Sequence, residues 1–298
     1  MKDELNLLSQ LDGSESQWWE RTIQEHRRKF VKNPKAYALE IIEGEGISKE
    51  QLTQETESYL EILRETVWQK YLIDEGIFHT EVITYLVKNR DLPRKILASV
   101  IDNEVFSLSL DKLSKQEISE KITGLIGNGA GRIMPYLYQL SLSTTQSRRS
   151  RAGKVFEEII EAFFDIFEYP YSNQSAIGNA DYNIQNLGKK VDLVVPDIDS
   201  YHLNRPKCAV ITMKTTLRER WQEVAEELSR TNVPHIYLLT VDPKVTPSTA
   251  NIMKQYNITL VLYKKDKERK FSEFSNVMDY EAFFIQEIPH IVSYWKNA

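Results

Sequence analysis

Apolar positions along the first 140 residues recur at three- and four-residue spacing among charged ones. WWERTIQEHRRKFV (18–31), KEQLTQETESYLEILRETVWQKYLI (49–73) and EVITYLVKN (81–89) each carry this pattern. Such spacing places the apolar side chains on one side of a helix, so this half of the chain is expected to be helical. Trp18 and Trp19 fall on such a stripe and are read as core rather than as a docking surface. SLSTTQSRRS (141–150) is polar and basic, and reads as a linker leading into a helix.

The pattern changes after that point. RAGKVFEEIIEAFFDIF (151–167) places Phe156, Ile159, Ile160, Phe163 and Phe167 on one helical face. Short apolar runs then alternate with helical ones. KKVDLVVPD (189–197) and CAVITMK (208–214) read as strands, and RERWQEVAEELSR (218–230) as a helix with Trp221, Val224, Ala225 and Leu228 on its apolar side. HIYLLTVD (235–242) is a strand, TPSTANIMKQY (246–256) a helix with proline near its start, and ITLVLYK (258–264) the last strand. This order predicts an α/β (α+β) fold with a mixed central sheet flanked by helices, preceded by a helical N-terminal region. The expected division is a helical region over 1–140 and a sheet-bearing domain over 141–298. No internal repeat or low-complexity tract is visible.

Composition narrows the class. The chain has 298 residues, 41% hydrophobic, enough for a real core. A single cysteine, Cys208, rules out an intrachain disulfide framework and suits a reducing cytoplasm. The opening MKDELNLLSQLDGSES is polar and acidic, unlike a signal peptide, and no apolar stretch is long enough to span a bilayer. The formal net charge of -5 argues against a non-specific nucleic-acid coat but leaves room for a local basic cleft.

Two residues interrupt the strands. Asp192 sits among Val191, Leu193, Val194 and Val195, where a carboxylate is expensive to bury without a partner or a metal. On CAVITMK the alternation of a strand puts Val210, Thr212 and Lys214 on one face, with the lysine at the strand end. A lysine alone would merely reach solvent there. An acid on one strand with a lysine at the end of the next suits a metal-dependent phosphodiesterase. The acid would bind Mg²⁺, whose charge would lower the pKa of a bound water, and the lysine would stabilise developing charge or orient that water. The helix that follows offers Glu223, Glu226 and Glu227 as further acids. At 100° per residue, Glu227 lies nearest the Trp221–Val224–Leu228 stripe, whereas the other two turn toward solvent.

Arg218, Glu219 and Arg220 follow the lysine almost at once. An arginine can donate twice to guanine O6 and N7, and a glutamate can accept from the cytosine amino group, so this alternation suits adjacent G·C pairs. An exposed, salt-bridged helix start would show the same charges; proximity to the lysine favours base reading. Arg148, Arg149, Arg151 and Lys154 form a basic cluster suited to phosphate contacts, or to a solvated segment.

SRRSRAGKVFEE, KKVDLVVPD and MKTTLRERWQEV, in this order, resemble the type II restriction endonucleases of the EcoRII and PspGI group, within the PD-(D/E)XK superfamily. The resemblance runs from about Ser147 to Tyr263, and KTTLRERW is its most specific part. It implies a PD-(D/E)XK core and Mg²⁺-dependent cleavage of double-stranded DNA at a palindromic CCGG or CCNGG core. It aligns Glu157 with the group's first acidic residue, Asp192 with the metal-binding aspartate and Lys214 with the catalytic lysine. Glu227 matches a glutamate relocated to the helix, making Asp192 and Glu227 the expected metal ligands. Arg218, Glu219 and Arg220 match the base-recognition element. Thr212 stands where the superfamily usually has an acid, a departure this group shares. A palindromic site implies a homodimer at least, with dimer or flanking-DNA contacts from the helical half, and a companion DNA methyltransferase in the same cell. Two other readings remain: a structure-selective repair or junction nuclease on the same fold, and a sequence-specific DNA-binding protein without catalysis.

Overall fold

The computed structural model describes residues 11–91, 93–95, 98, 113–173, 191–217 and 233–297. The chain divides into two compact units, one of 1–32 with 70–150 and the other of 33–69 with 151–298. The sheet-bearing unit takes in 33–69 and starts its second segment at Arg151.

The first unit is helical. Gly13–Phe30 opens on Asp12, whose side chain accepts the Glu15 N–H at 2.8 Å, satisfying one of the free donors of the first turn. Lys115–Arg132 starts on a capping box in which Ser114 and Glu117 exchange hydrogen bonds. Trp19 is fully buried, and its Nε1 donates to the Tyr136 carbonyl at 2.9 Å, which resolves the cost of an indole N–H in a core. The expected linker at 141–150 is no linker. Met134–Phe167 is one continuous helix, and the Ser/Thr-rich stretch lies inside it. Tertiary contacts explain why: Thr144 is buried and lies 2.9 Å from His79 Nε2, and Ser143 accepts from Arg27 at 3.0 Å. These partners override the weak helix propensity of serine and threonine.

The second unit carries a six-stranded sheet in the order β1 (Ser172–Asn173), β2 (Leu193–Val195), β3 (Ala209–Lys214), β4 (Ile236–Thr240), β5 (Ile258–Leu262) and β6 (Val277–Asp279). The first two pairings are antiparallel and the other three parallel, so the sheet is mixed as expected. Parallel strands covered on both faces must be apolar along their length, and β4 is buried at every position. β6 was not expected; it has only three residues, and its alternation is too short to show in the sequence. The helix expected over 218–230 lies outside the described residues.

Alternation sorts the sheet into two faces. Val194, Val210, Leu238 and Leu260 join Ile198, Tyr201, Ala250 and Met253 in one core. Pro247–Gln255 contributes to that core after starting on a Thr246 cap with proline in its first turn. In the same unit the C-terminal half of the long helix is lined by Phe156, Ile159, Ile160, Phe163 and Phe167, all buried. Phe163 meets Phe284 edge to face at 5.7 Å. Each such ring contributes roughly 1.5–3 kcal/mol by leaving water, which fixes the helix bearing Glu157 in place.

Candidate active site

Asp192 lies one residue before β2, not within it. Its backbone N–H still donates to the Ile211 carbonyl at 2.9 Å, so the ladder with β3 continues through this position. Its side chain turns along β3. Oδ2 accepts the Met213 N–H at 2.6 Å and the Thr212 hydroxyl at 3.3 Å, and Lys214 Nζ is 3.6 Å away. Lys214 ends β3, pairs in register with Thr240 of β4, and donates to the Met213 carbonyl at 2.9 Å. Its ammonium therefore stands at the carboxyl ends of parallel strands, where α/β sheets leave an open crevice for ligands.

Glu157 joins this pair from the long helix. Burial pushes its carboxyl up to about 7, and the nearby charge of Asp192 adds to the rise against opposing pulls from Lys214 and Lys154. Asp192 is raised as well. Burial dominates there, and Lys214 with the two donors from β3 offsets it only in part. Glu157, Asp192 and Lys214 thus share one electrostatic neighbourhood of two half-buried acids, whose carboxyls stay raised despite the lysines near them. Hard carboxylate oxygens suit Mg²⁺, and a divalent cation would remove the excess repulsion between them. The donor set fits such an ion. Among the described residues no group of three or more His, Cys, Asp or Glu side chains is arranged to hold one. Glu227, Glu223 and Glu226 lie outside the described residues, as do Arg218, Glu219 and Arg220.

Neighbouring acids on the same helix are otherwise engaged. Lys35 Nζ sits 2.7 Å from Asp165, 2.7 Å from the Tyr171 hydroxyl and 3.7 Å from Glu161, and Glu158 accepts the Lys35 N–H. Lys35 and Glu161 are far apart in the sequence, so no local signal exposes this anchoring. Of the basic cluster, Arg148 belongs to the helical unit and binds Glu75 there through two guanidinium nitrogens. Arg149 and Lys154 are exposed on the same helix, and Arg151 is half-buried.

Sequence reasoning also passed over two features. Arg64 and Trp68 line a cleft with Glu61, Val155 and Phe156, just before Glu157 on the long helix. Asp242, after β4, accepts the Leu217 N–H at 2.8 Å and so touches the segment that follows Lys214. An aspartate before a proline at a strand end is a turn signal, and could have been read as one.

Three comparisons bear on this arrangement. Residues 113–283 match the family model described as EcoRII C terminal. The type II restriction enzyme SsoII of Shigella sonnei is 40% identical over 163 residues, which are 55% of this chain and 53% of that protein. The match thus spans about half the length of that relative. Metal-depleted Ecl18kI in complex with uncleaved DNA superposes with a TM-score of 0.68 at 28% identity, covering 95% of this chain and 87% of the other. The same enzyme with uncleaved, modified DNA gives 0.69 at 28%, over 97% and 87%. The chain belongs to the EcoRII C-terminal family and has the PD-(D/E)XK restriction-endonuclease-like fold.

Proposed function

We propose that this protein is a type II restriction endonuclease that hydrolyses double-stranded DNA in a Mg²⁺-dependent reaction, at a palindromic site with a CCGG or CCNGG core. One observation carries the reading: in a member of this family, Glu157, Asp192 and Lys214 share a single neighbourhood at the carboxyl end of β3. Clustered acids that can hold a divalent cation, with a lysine beside them, are what metal-assisted phosphodiester hydrolysis needs, and a plain DNA-binding module has no use for them.

Asp192 and Glu227 are the residues that would hold Mg²⁺, with Glu157 as a supporting acid. Bound there, the ion supplies charge stabilisation and a water of lowered pKa. Lys214 brings its ammonium to the scissile phosphate, exchanging the Met213 carbonyl and Asp192 for the developing charge. Thr212 keeps Asp192 aimed by its hydroxyl. Arg218, Glu219 and Arg220 read the G·C pairs, and Arg149, Arg151 and Lys154 contact phosphates without reading sequence. Arg148 is the weakest of that cluster, since Glu75 engages its guanidinium.

A palindromic target needs two copies of the site related by a two-fold axis, hence a homodimer at least. A cell carrying this activity has to shield its own sites, so a companion DNA methyltransferase is expected. A cytoplasmic location fits a DNA substrate; no helix among the described residues is long and apolar enough to cross a membrane. Digestion of a plasmid with and without Mg²⁺ tests the proposal. Discrete fragments ending at CCGG or CCNGG sites are expected with Mg²⁺ alone. Cutting confined to branched DNA would favour a junction nuclease, and binding without cutting would favour a DNA-binding protein.

A further inference from the structure

β3 delivers Lys214, and after three intervening residues the chain reaches Arg218. That short segment is pinned at both ends. At its start, Lys214 pairs in register with Thr240 of β4. At its end, Leu217 is 2% exposed, and its N–H donates to Asp242 Oδ2 at 2.8 Å. Asp242 is itself buried. Its Oδ1 accepts the Lys244 N–H at 2.9 Å, and its own N–H donates to the Thr240 hydroxyl at 3.1 Å. One residue pair, Thr240 and Asp242, therefore touches both ends of the link between the catalytic lysine and the expected base-reading residues.

Packing does not do this work between the ends. Thr215 and Thr216 are half-buried and exposed, and together with Asp242, Lys244 and Thr249 they line a cleft of about 350 Å³. Hydrogen bonds to an ionised carboxylate are shorter and stronger than neutral ones, and here one carboxylate takes a backbone donor on each oxygen. Removing it would leave two N–H groups beside a cleft with no acceptor. A bidentate arginine contact tolerates only about 0.5 Å of misplacement, so the position of Leu217 bears directly on what Arg218 can reach.

We infer that Asp242 is a positioning residue for sequence readout: it fixes the point at which the base-reading segment leaves the strand that carries Lys214. This rests on the restriction-endonuclease reading above. Asp242 touches neither DNA nor the reacting atoms in this role, so its loss acts on discrimination before it acts on binding to DNA at large. Asp242→Asn is nearly isosteric but presents an amide N–H₂ to one of the two backbone donors, so it keeps one acceptor of two. Asp242→Ala keeps none.

The test is binding without Mg²⁺ to short duplexes carrying a CCGG or CCNGG core and to a scrambled duplex of equal composition, well below each variant's melting temperature. In Asp242→Ala the ratio of core to scrambled affinity is expected to fall about tenfold or more. Asp242→Asn should lie between it and the wild type. Affinity for the scrambled duplex should stay at the wild-type value in both. A structural role alone would lower the melting temperature and leave that ratio unmoved, and a folded variant with the wild-type ratio overturns the inference. Amide hydrogen exchange on the wild-type protein needs no variant to fold. The Leu217 N–H should be strongly protected, and exchange at the rate of an exposed loop amide overturns the inference equally. Should the wild type itself bind core and scrambled duplexes alike, the restriction reading fails and takes this inference with it, an outcome distinct from the other two.

Discussion

Two of the carboxylate–cation pairs in this molecule end in opposite electrostatic states: Glu75 with Arg148 in the helical unit, and Asp192 with Lys214 in the sheet unit. In the helical unit, burial pushes Glu75 upward. Two guanidinium nitrogens of Arg148 and the Tyr71 hydroxyl overcome that push and hold the acid below its ordinary range. In the sheet unit, burial pushes Asp192 and Glu157 upward; Lys214 with the donors from β3 fails to bring Asp192 back, and Lys214 with Lys154 fails to bring Glu157 back. Glu75 is saturated by its own chain. The acids near Lys214 are not, and folding has left them short of positive charge. A saturated pair is a structural joint, because nothing further can bind it without first undoing it. An under-compensated cluster is costly to keep, and an arriving cation would relieve that cost, as the proposed metal site requires.

The largest effect that could break this comparison comes from exchanging roles. Lys214→Ala should lower cleavage by at least about 10²–10³-fold, since it removes the charge at the scissile phosphate, while specific DNA binding stays largely intact. Arg148→Ala should do the reverse. It strands Glu75 without its guanidinium and should cost roughly 1–3 kcal/mol of stability, read by denaturant unfolding, with the cleavage rate of the folded protein close to wild type. If Arg148→Ala abolishes cleavage in a folded protein, or Lys214→Ala cuts within tenfold of wild type, the distinction between joint and site is wrong.

Next in size is the acid that the site lacks among its described residues. Glu223→Ala, Glu226→Ala and Glu227→Ala, each assayed for Mg²⁺-dependent cleavage, should separate cleanly, with only Glu227→Ala losing activity by orders of magnitude. Thr212→Glu in the Glu227→Ala background restores an acid beside Lys214. Thr212 is 1% exposed and its hydroxyl is 3.3 Å from Asp192, so the new carboxylate is buried against another and the recovery should be small. Full activity in Glu227→Ala ends the relocated-acid assignment.

The sequence exposed those parts of the site whose signal is local. Lys214 was legible because strand alternation fixes its face, and Asp192 because a carboxylate in an apolar run needs a reason. Glu157 was not legible from charge, since Glu158 stands beside it on the same helix and points to Lys35 instead. Only the family resemblance told the two apart. The stretch 141–150 was misread for a related cause. Its serines, threonines and arginines favour a linker by propensity, and the contacts that keep it helical come from His79, Arg27 and Glu75, more than 60 residues earlier in the chain. β6 escaped notice because three residues of alternation carry too little information. Long-range pairing, which decides all three, leaves no periodicity in the sequence.

The smallest effect is also the one that needs no DNA. Glu157 is held at about 7, against an ordinary value of 4.5. Between those two values the folded protein keeps a proton that the unfolded chain has released. Stability therefore falls as pH rises through this window, and the fall is complete above pH 7. Glu157→Gln cannot release a proton, so its stability should not follow the wild type down over this range. Glu57 is raised to about 7 as well, chiefly by burial, and contributes a slope of the same sign in both proteins. The difference between wild type and Glu157→Gln isolates the site. Mg²⁺ should then act only where the acids are ionised. Added at pH 8 it should raise the unfolding midpoint of the wild type, and added at pH 5 it should do so far less, because protons occupy the positions the ion would take. In Glu157→Gln the Mg²⁺ effect should shrink at both values, and in Asp192→Asn it should vanish. The same stabilisation by Mg²⁺ in Asp192→Asn as in the wild type would place the ion elsewhere, and the cluster at the end of β3 would then be an unsaturated joint rather than a site.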